Sequence, residues 1–93
     1  MRRIERATQF KKDYKRETRG RYKAVLESSL IEVVELLIND VDLPVRYFDH
    51  ALTGQWKDFR DCHIKPDLLL IYTKPNPEIL RLARMGSHSE LSL

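Results

Sequence analysis

The sequence predicts an α+β fold: two N-terminal helices packed on a twisted antiparallel β-sheet, in the order β-α-α-β-β-β. Three observations carry this. Residues 21–40, "RYKAVLESSLIEVVELLIND", set Leu26, Leu30, Val33, Val34 and Leu37 on one helical stripe. Residues 68–73, "LLLIYT", form a continuous apolar run too short for a helix, as a central strand does. Residues 79–85, "ILRLARM", alternate Leu80 and Leu82 with Arg81 and Ala83, the period of a half-buried strand. A chain of 93 residues supports one core, so residues 1–93 are read as a single domain.

The other elements follow in order. "RRIERAT" (2–8) contains one strong β-former, Ile4, and is read as a short first strand. Thr8 is a plausible N-cap for a helix through "QFKKDYKRETR", with Gly20 as its stop. Phe10 and Tyr14, four residues apart, share a face that can be pinned to a core. The 21–40 helix turns Ser28, Glu32, Glu35 and Asn39 to water, and is read as architecture. Pro44 and Gly54 punctuate the loop "DVDLPVRYFDHALTG". "QWKDFRDCHI" (55–64) is read as the second strand, with Trp56 and Phe59 as core residues. "KPD" (65–67) and "KPNPE" (74–78) are turns. The tail from Gly86 to Leu93 has little local preference, and no repeat or linker appears.

Composition narrows the class. The single cysteine, Cys62, cannot close an internal disulfide, which suits the cytoplasm. Met1-Arg2-Arg3 leads into charged sequence, so no signal peptide is expected. The longest apolar run, Leu68–Tyr72, is far too short to span a membrane. The net charge of +3 hides an asymmetry. Residues 1–23 carry ten Lys/Arg against three Asp/Glu, residues 24–55 one against six, and residues 56–93 six against five. The basic block is a candidate footprint for a polyanion, and equally a solvated helix face.

All three histidines follow the last helix. His50 precedes the second strand and His63 ends it. Asp67 begins the third, across the Pro66 turn, so His63 and Asp67 are expected to be neighbours. His88 follows the fourth strand, which runs parallel to the second, so it can emerge at the same edge as His63. His50 sits in the loop entering the sheet and must travel the strand, or fold back over the sheet, to reach that edge. Imidazoles titrate near neutrality and can divide the roles of base and acid. Cleavage of RNA needs a proton taken from the 2′-hydroxyl, a proton given to the 5′-oxygen, and positive charge near the phosphoryl oxygens. Lys57, Arg60, Lys65, Arg81 and Arg84 are candidates for the last task. Strand alternation places Arg81 and Arg84 on opposite faces, so one of them is expected to meet phosphate. No Gly-rich phosphate loop is present, and no local His or Cys pair assembles a metal site. The residues alone leave a nuclease and a binding module both open.

The segments "DHALTGQWKDFRDCHIKPDLLLIY" and "LRLARMGSHSEL" resemble the YafQ branch of the RelE/ParE superfamily of bacterial toxins. The shared pattern reads D-H-x-L-x-G-x-W-K, then R-[DE]-x-H-[IV]-x-P-D-x-[IL]-L-[IV]-Y, then R-x-G-[ST]-H, and every position is filled. The resemblance implies a RelE-like microbial RNase fold and the toxin of a type II toxin–antitoxin pair. It implies a ribosome-dependent mRNA endonuclease that works without metal or other cofactor. Its catalytic groups would be His50, His63, Asp67 and His88. His88 would protonate the 5′-oxygen, His50 or His63 would take the 2′-hydroxyl proton, and Asp67 would orient a histidine or share the base's duty. Arg84, or else Arg81, would hold the scissile phosphate, with Lys57 and Arg60 nearby. The implied partners are a cognate antitoxin of the RelB/DinJ kind, the ribosome and mRNA, with no membrane. The basic block, Lys11, Lys12, Lys15, Arg16, Arg19, Arg21 and Lys23, would dock ribosomal RNA. The family often carries an aromatic four residues after the last histidine; here that position is Ser92. The alternatives are a non-catalytic, ParE-like toxin and an inactive antitoxin-binding partner in a repressor complex.

Overall fold

Five strands form one mixed sheet in the order β1-β5-β4-β3-β2 in the computed structural model, which describes residues 1–93. The elements along the chain are β1 (Arg3–Arg6), α1 (Thr8–Glu17), α2 (Leu26–Ile38), β2 (His50–Ala51), β3 (Arg60–Lys65), β4 (Leu68–Asn76), β5 (Ile79–Gly86) and α3 (His88–Leu91). Single 3₁₀ turns occupy Val45–Tyr47 and Gly54–Trp56. The expected α+β architecture is present. β2 through β5 pair antiparallel, whereas β1 lies parallel to β5, which makes the sheet mixed.

The apolar run of β4 is continuous because both faces of that strand are covered. Leu68, Leu70 and Tyr72 face the helices. They join Phe10, Leu26, Leu30, Val33, Leu37, Leu80, Leu82 and Met85 in one cluster of 15 buried residues. Leu69 and Ile71 face the other way, into a four-residue cluster completed by Ala83 and Leu91. Leu52, Trp56 and Phe59 pack against that smaller cluster, and the Trp56 and Phe59 rings meet edge-on at 5.2 Å. Burying each large apolar side chain contributes roughly 1.5–3 kcal/mol, so the helix-covered face dominates stability.

Element ends differ from the sequence reading where backbone conformation or a side chain intervenes. Thr8 is the first helical residue rather than the cap; Ala7 holds the extended cap position without a side-chain bond. α1 stops at Glu17, ahead of Gly20, and α2 begins at Leu26 after turns over residues 21–25. The expected 55–64 strand is broken by Asp58 at φ 75°, so pairing with β4 starts only at Arg60. β4 runs past Pro75 to Asn76. Its partner β3 has already ended there, so the missing proline N–H interrupts no β3–β4 bond. The tail folds as α3. Ser87 accepts from the Glu90 amide, the Glu90 carboxylate accepts from the Ser87 amide, and Leu91 is buried.

One bulge corrects a placement. Ile71 pairs with Arg84 but Tyr72 pairs with Leu82, so an extra residue enters β5 at Ala83. Thr73 opposite Arg81 and Ile71 opposite Arg84 then share a side of the pleat. Arg81 and Arg84 therefore register on the same side, not on opposite faces.

β1 covers β5 only as far as Leu82, leaving a bare edge beyond it. Asp13 of α1 fills that edge. Its carboxylate, fully buried, accepts from the Met85 amide (3.0 Å), Arg84 Nε (2.7 Å), Gln9 Nε2 (3.2 Å) and Arg16 Nη1 (3.2 Å). Burial alone would raise its pKa, but these donors outweigh burial and hold it below the usual carboxylate value. Arg16 Nη2 then donates to the Met85 carbonyl at 2.9 Å. Gly86 permits this approach, since a Cβ there would stand 2.8 Å from Arg16 Nη2.

Candidate active site

β3 and β5 both run antiparallel to β4, so His63 near the end of β3 and His88 just past β5 reach the same end of the sheet. Their rings meet edge-on with centroids 5.2 Å apart. The juxtaposition expected from strand direction is present. Asp67 is not bonded to His63, however. It turns toward His88, whose backbone amide (3.2 Å) and Nδ1–H (2.9 Å) both donate to Asp67 Oδ1. Those two bonds hold the Asp67 carboxyl below its usual value. The bond also fixes the His88 tautomer and leaves Nε2 as the atom that can exchange a proton with a ligand. His88 sits in the first turn of α3, so the Ser87–Glu90 capping box and buried Leu91 anchor it.

His50 reaches the site through β2, where it lies opposite Asp61 of β3. Its Nδ1–H donates to the Phe48 carbonyl at 2.7 Å. Its Nε2 faces Asp61 Oδ2 at 3.6 Å, while His63 Nε2 lies 3.9 Å from Asp61 Oδ1. Asp61 thus stands between two imidazoles. It is almost fully buried, and its Oδ1 has no hydrogen-bond partner. Burial raises its pKa, and the charges of His50, His63 and His88 oppose that rise without cancelling it. The site therefore has two carboxylates of opposite character. Asp67 is exposed and firmly ionised; Asp61 is dry and holds on to a proton more readily.

Asp61 is the site residue that the sequence reading missed. The signal was available: Asp61 and His63 are two apart on a strand, so they share a face, and Asp61 fills the [DE] position of the R-[DE]-x-H pattern.

The cations are arranged less uniformly than the histidines. Arg84 is tied to Asp13 through Nε and Nη2, while its Nη1 has no protein partner. Arg81 is paired with Glu5 at the β1 border. Arg60 lies opposite Tyr72, on the helix-covered side. There it donates from Nε (3.2 Å) and Nη2 (3.3 Å) to Asp49, which also accepts from the Tyr72 hydroxyl at 2.5 Å. Arg60 is thus on the face away from Asp61 and His63. Lys57 is exposed after the second 3₁₀ turn and makes no ion pair.

Lys11, Lys12, Lys15, Arg19, Arg21 and Lys23 are exposed, whereas Arg16 is engaged by Asp13, Glu17 and Glu90. A groove of about 660 Å³ carries Lys12, Lys15, Arg19 and Arg21 up to Asp67 and Ser87. The basic block therefore borders the histidine pocket directly. Ser92 follows α3 in the left-handed region at φ 58° and brings no ring to the site.

The chain resembles characterised proteins along its whole length. The family model described as "Bacterial toxin of type II toxin-antitoxin system, YafQ" matches residues 2–93. The mRNA interferase toxin YafQ of Escherichia coli K12 is 42% identical over 89 residues, covering 95% of this chain and 92% of the relative. The crystal structure of YafQ from E. coli BL21(DE3) superposes with a TM-score of 0.84 at 37% identity, covering 98% of each chain. The E. coli DinJ–YafQ complex gives 0.82 at 39% identity with the same coverage. A metal-bound toxin from Helicobacter pylori gives 0.82 at 44% identity, covering 98% of this chain and 99% of that one. Sequence, fold and pocket converge on one conclusion: the chain belongs to the YafQ family of bacterial toxins of type II toxin–antitoxin systems.

Proposed function

We propose that this toxin is an endoribonuclease that cuts mRNA on the ribosome by acid–base chemistry of its histidines and aspartates. The observation that carries the reading is the row His50–Asp61–His63–His88–Asp67, which sets a dry carboxylate between two imidazoles at one end and an ionised carboxylate on a third at the other. In the proposed step the 2′-oxygen attacks phosphorus, the P–O5′ bond breaks, and a 2′,3′-cyclic phosphate and a 5′-hydroxyl result. The His50–Asp61–His63 end takes the 2′-hydroxyl proton. His88, oriented by Asp67, gives its Nε2 proton to the departing 5′-oxygen. Arg84 is the better candidate for the phosphate, because Nη1 is free and Asp13 fixes the rest of the guanidinium. Arg81 is occupied by Glu5 and lies seven residues before His88.

The exposed lysines and arginines of the N-terminal block supply a salt-sensitive contact to ribosomal RNA. An antitoxin of the RelB/DinJ kind is the partner, by analogy with the E. coli DinJ–YafQ complex. The cytoplasm, where mRNA meets ribosomes, is the place of action; no helix is long and apolar enough to cross a membrane. The proposed proton transfers call on no metal.

The test is a defined mRNA, naked or on purified ribosomes, with cut ends mapped. Codon-registered cuts on ribosomes, 2′,3′-cyclic ends, and loss of both in His88→Ala are expected. Intact message on programmed ribosomes rejects the reading. Supplying the protein after chelator treatment and dialysis tests the metal: lost cutting restored by one added metal rejects metal independence.

A further inference from the structure

The geometry points to Phe48 as a base-stacking residue, on which a nucleobase beside the scissile phosphate packs; this rests on the ribonuclease reading above. Phe48 is 65% exposed and is the one aromatic residue of the chain left largely in water. An unused phenyl ring in water is unfavourable, and so is its backbone. Phe48 has φ 49° and ψ 42°, a left-handed conformation that residues with a Cβ adopt rarely. Such strain gathers where a site requires it.

What the conformation achieves is position. The Phe48 ring leans on His63, with centroids 5.5 Å apart and planes tilted by 46°. His63 in turn meets His88, so three rings form a row from open solvent to the proposed acid. The Phe48 carbonyl meanwhile accepts the His50 Nδ1–H. One residue thus orients a histidine with its backbone and offers an open ring with its side chain. Beside it lies a groove of about 500 Å³, lined by Arg46, Tyr47, His63, Lys65 and Pro66. Arg46 is balanced by Glu32, which leaves Lys65 as the cation facing a ligand. An open ring next to an unpaired cation is the composition that holds single-stranded RNA, with the base on the ring and phosphate at the ammonium.

The experiment compares Phe48→Gly, Phe48→Leu and Phe48→Trp with wild type in single-turnover cutting on ribosomes carrying one defined mRNA, together with melting temperature. Stacking predicts that Gly and Leu slow cutting by roughly tenfold to a hundredfold and flatten the preference among cut positions. Trp should keep the wild-type rate. Gly should melt no lower than wild type, because it removes the strain at φ 49°. Gly and Leu variants that cut at the wild-type rate and positions overturn the inference and leave the ribonuclease reading standing. So does full activity in Leu with loss only in Gly, which assigns the ring to packing, and so does a melting temperature that falls in step with the rate. If wild type itself does not cut, the ribonuclease reading fails first and this one with it.

Discussion

The two faces of β4 divide the protein's work. Toward the helices, Leu68, Leu70 and Tyr72 lie in a 15-residue cluster with ridges of both helices above them. Away from the helices, Leu69 and Ile71 lie in a cluster of only four buried residues, and the same side of neighbouring β3 carries Asp61 and His63. The difference teaches that one strand can floor both a core and an open pocket of histidines. The thin side suits chemistry because it leaves the imidazoles open while keeping one carboxylate dry. The thick side supplies the stability that tolerates a buried, imperfectly partnered acid.

The largest separation between the faces comes from paired substitutions. His88→Ala should lower cutting by about 10²–10⁴-fold while leaving the melting temperature within a few degrees. Leu70→Ala, at the centre of the thick face, should cost about 2–5 kcal/mol of stability, yet leave the cutting rate per folded molecule nearly unchanged. Denaturant melts and single-turnover assays on the same preparations measure both. If Leu70→Ala lowered the intrinsic rate as much as His88→Ala, the division between faces would be wrong.

Asp61→Asn sharpens the contrast because stability and activity should move in opposite directions. The folded protein raises the Asp61 pKa above its ordinary 3.8. Folding therefore favours the protonated acid, and the ionised form costs stability at neutral pH. That cost fades as pH falls from the raised folded value toward 3.8. Asn should thus melt higher than wild type near pH 7, with the gap closing on acidification, while cutting slows. A melt that drops at pH 7 would mean that the His50 and His63 charges, not burial, govern Asp61.

The smallest effect per residue is expected at the basic groove. Reversing Lys12, Lys15, Arg19 and Arg21 together should weaken ribosome association and flatten its dependence on salt, with the fold intact. Sedimentation with ribosomes at stepped salt measures this; binding unchanged at moderate salt would leave those charges as a solvated helix face.

Much of this was legible in the sequence where one periodicity dominated. The α2 stripe and the "LLLIYT" run specify their elements because burial on one or both faces leaves no other pattern. The meeting of His63 with His88 follows from strand direction alone. What escaped depended on single residues acting against their segment. Asp58 at φ 75° ends a strand whose composition continues, and the Ala83 bulge moves Arg84 to the side shared with Arg81. Asp67 was expected beside His63 because the turn brings them close in sequence, yet it accepts twice from His88 and makes no bond to His63. The tail looked featureless although "SHSE" carries the Ser-x-x-Glu cap, and Asp61 was passed over although its place two residues before His63 on a strand puts both on one face.

The carboxylate and guanidinium of Asp13 and Arg16 occupy the margin of β5 where another polypeptide would otherwise zip on. Intermolecular strand addition is thereby blocked along that margin of β5, and the open edges left are those of β1, of two-residue β2 and of β3 beyond Asp61. On the β5 side the mouth beside His88 is barred to such neighbours, so a partner approaching there must cover it with side chains, a helix or RNA.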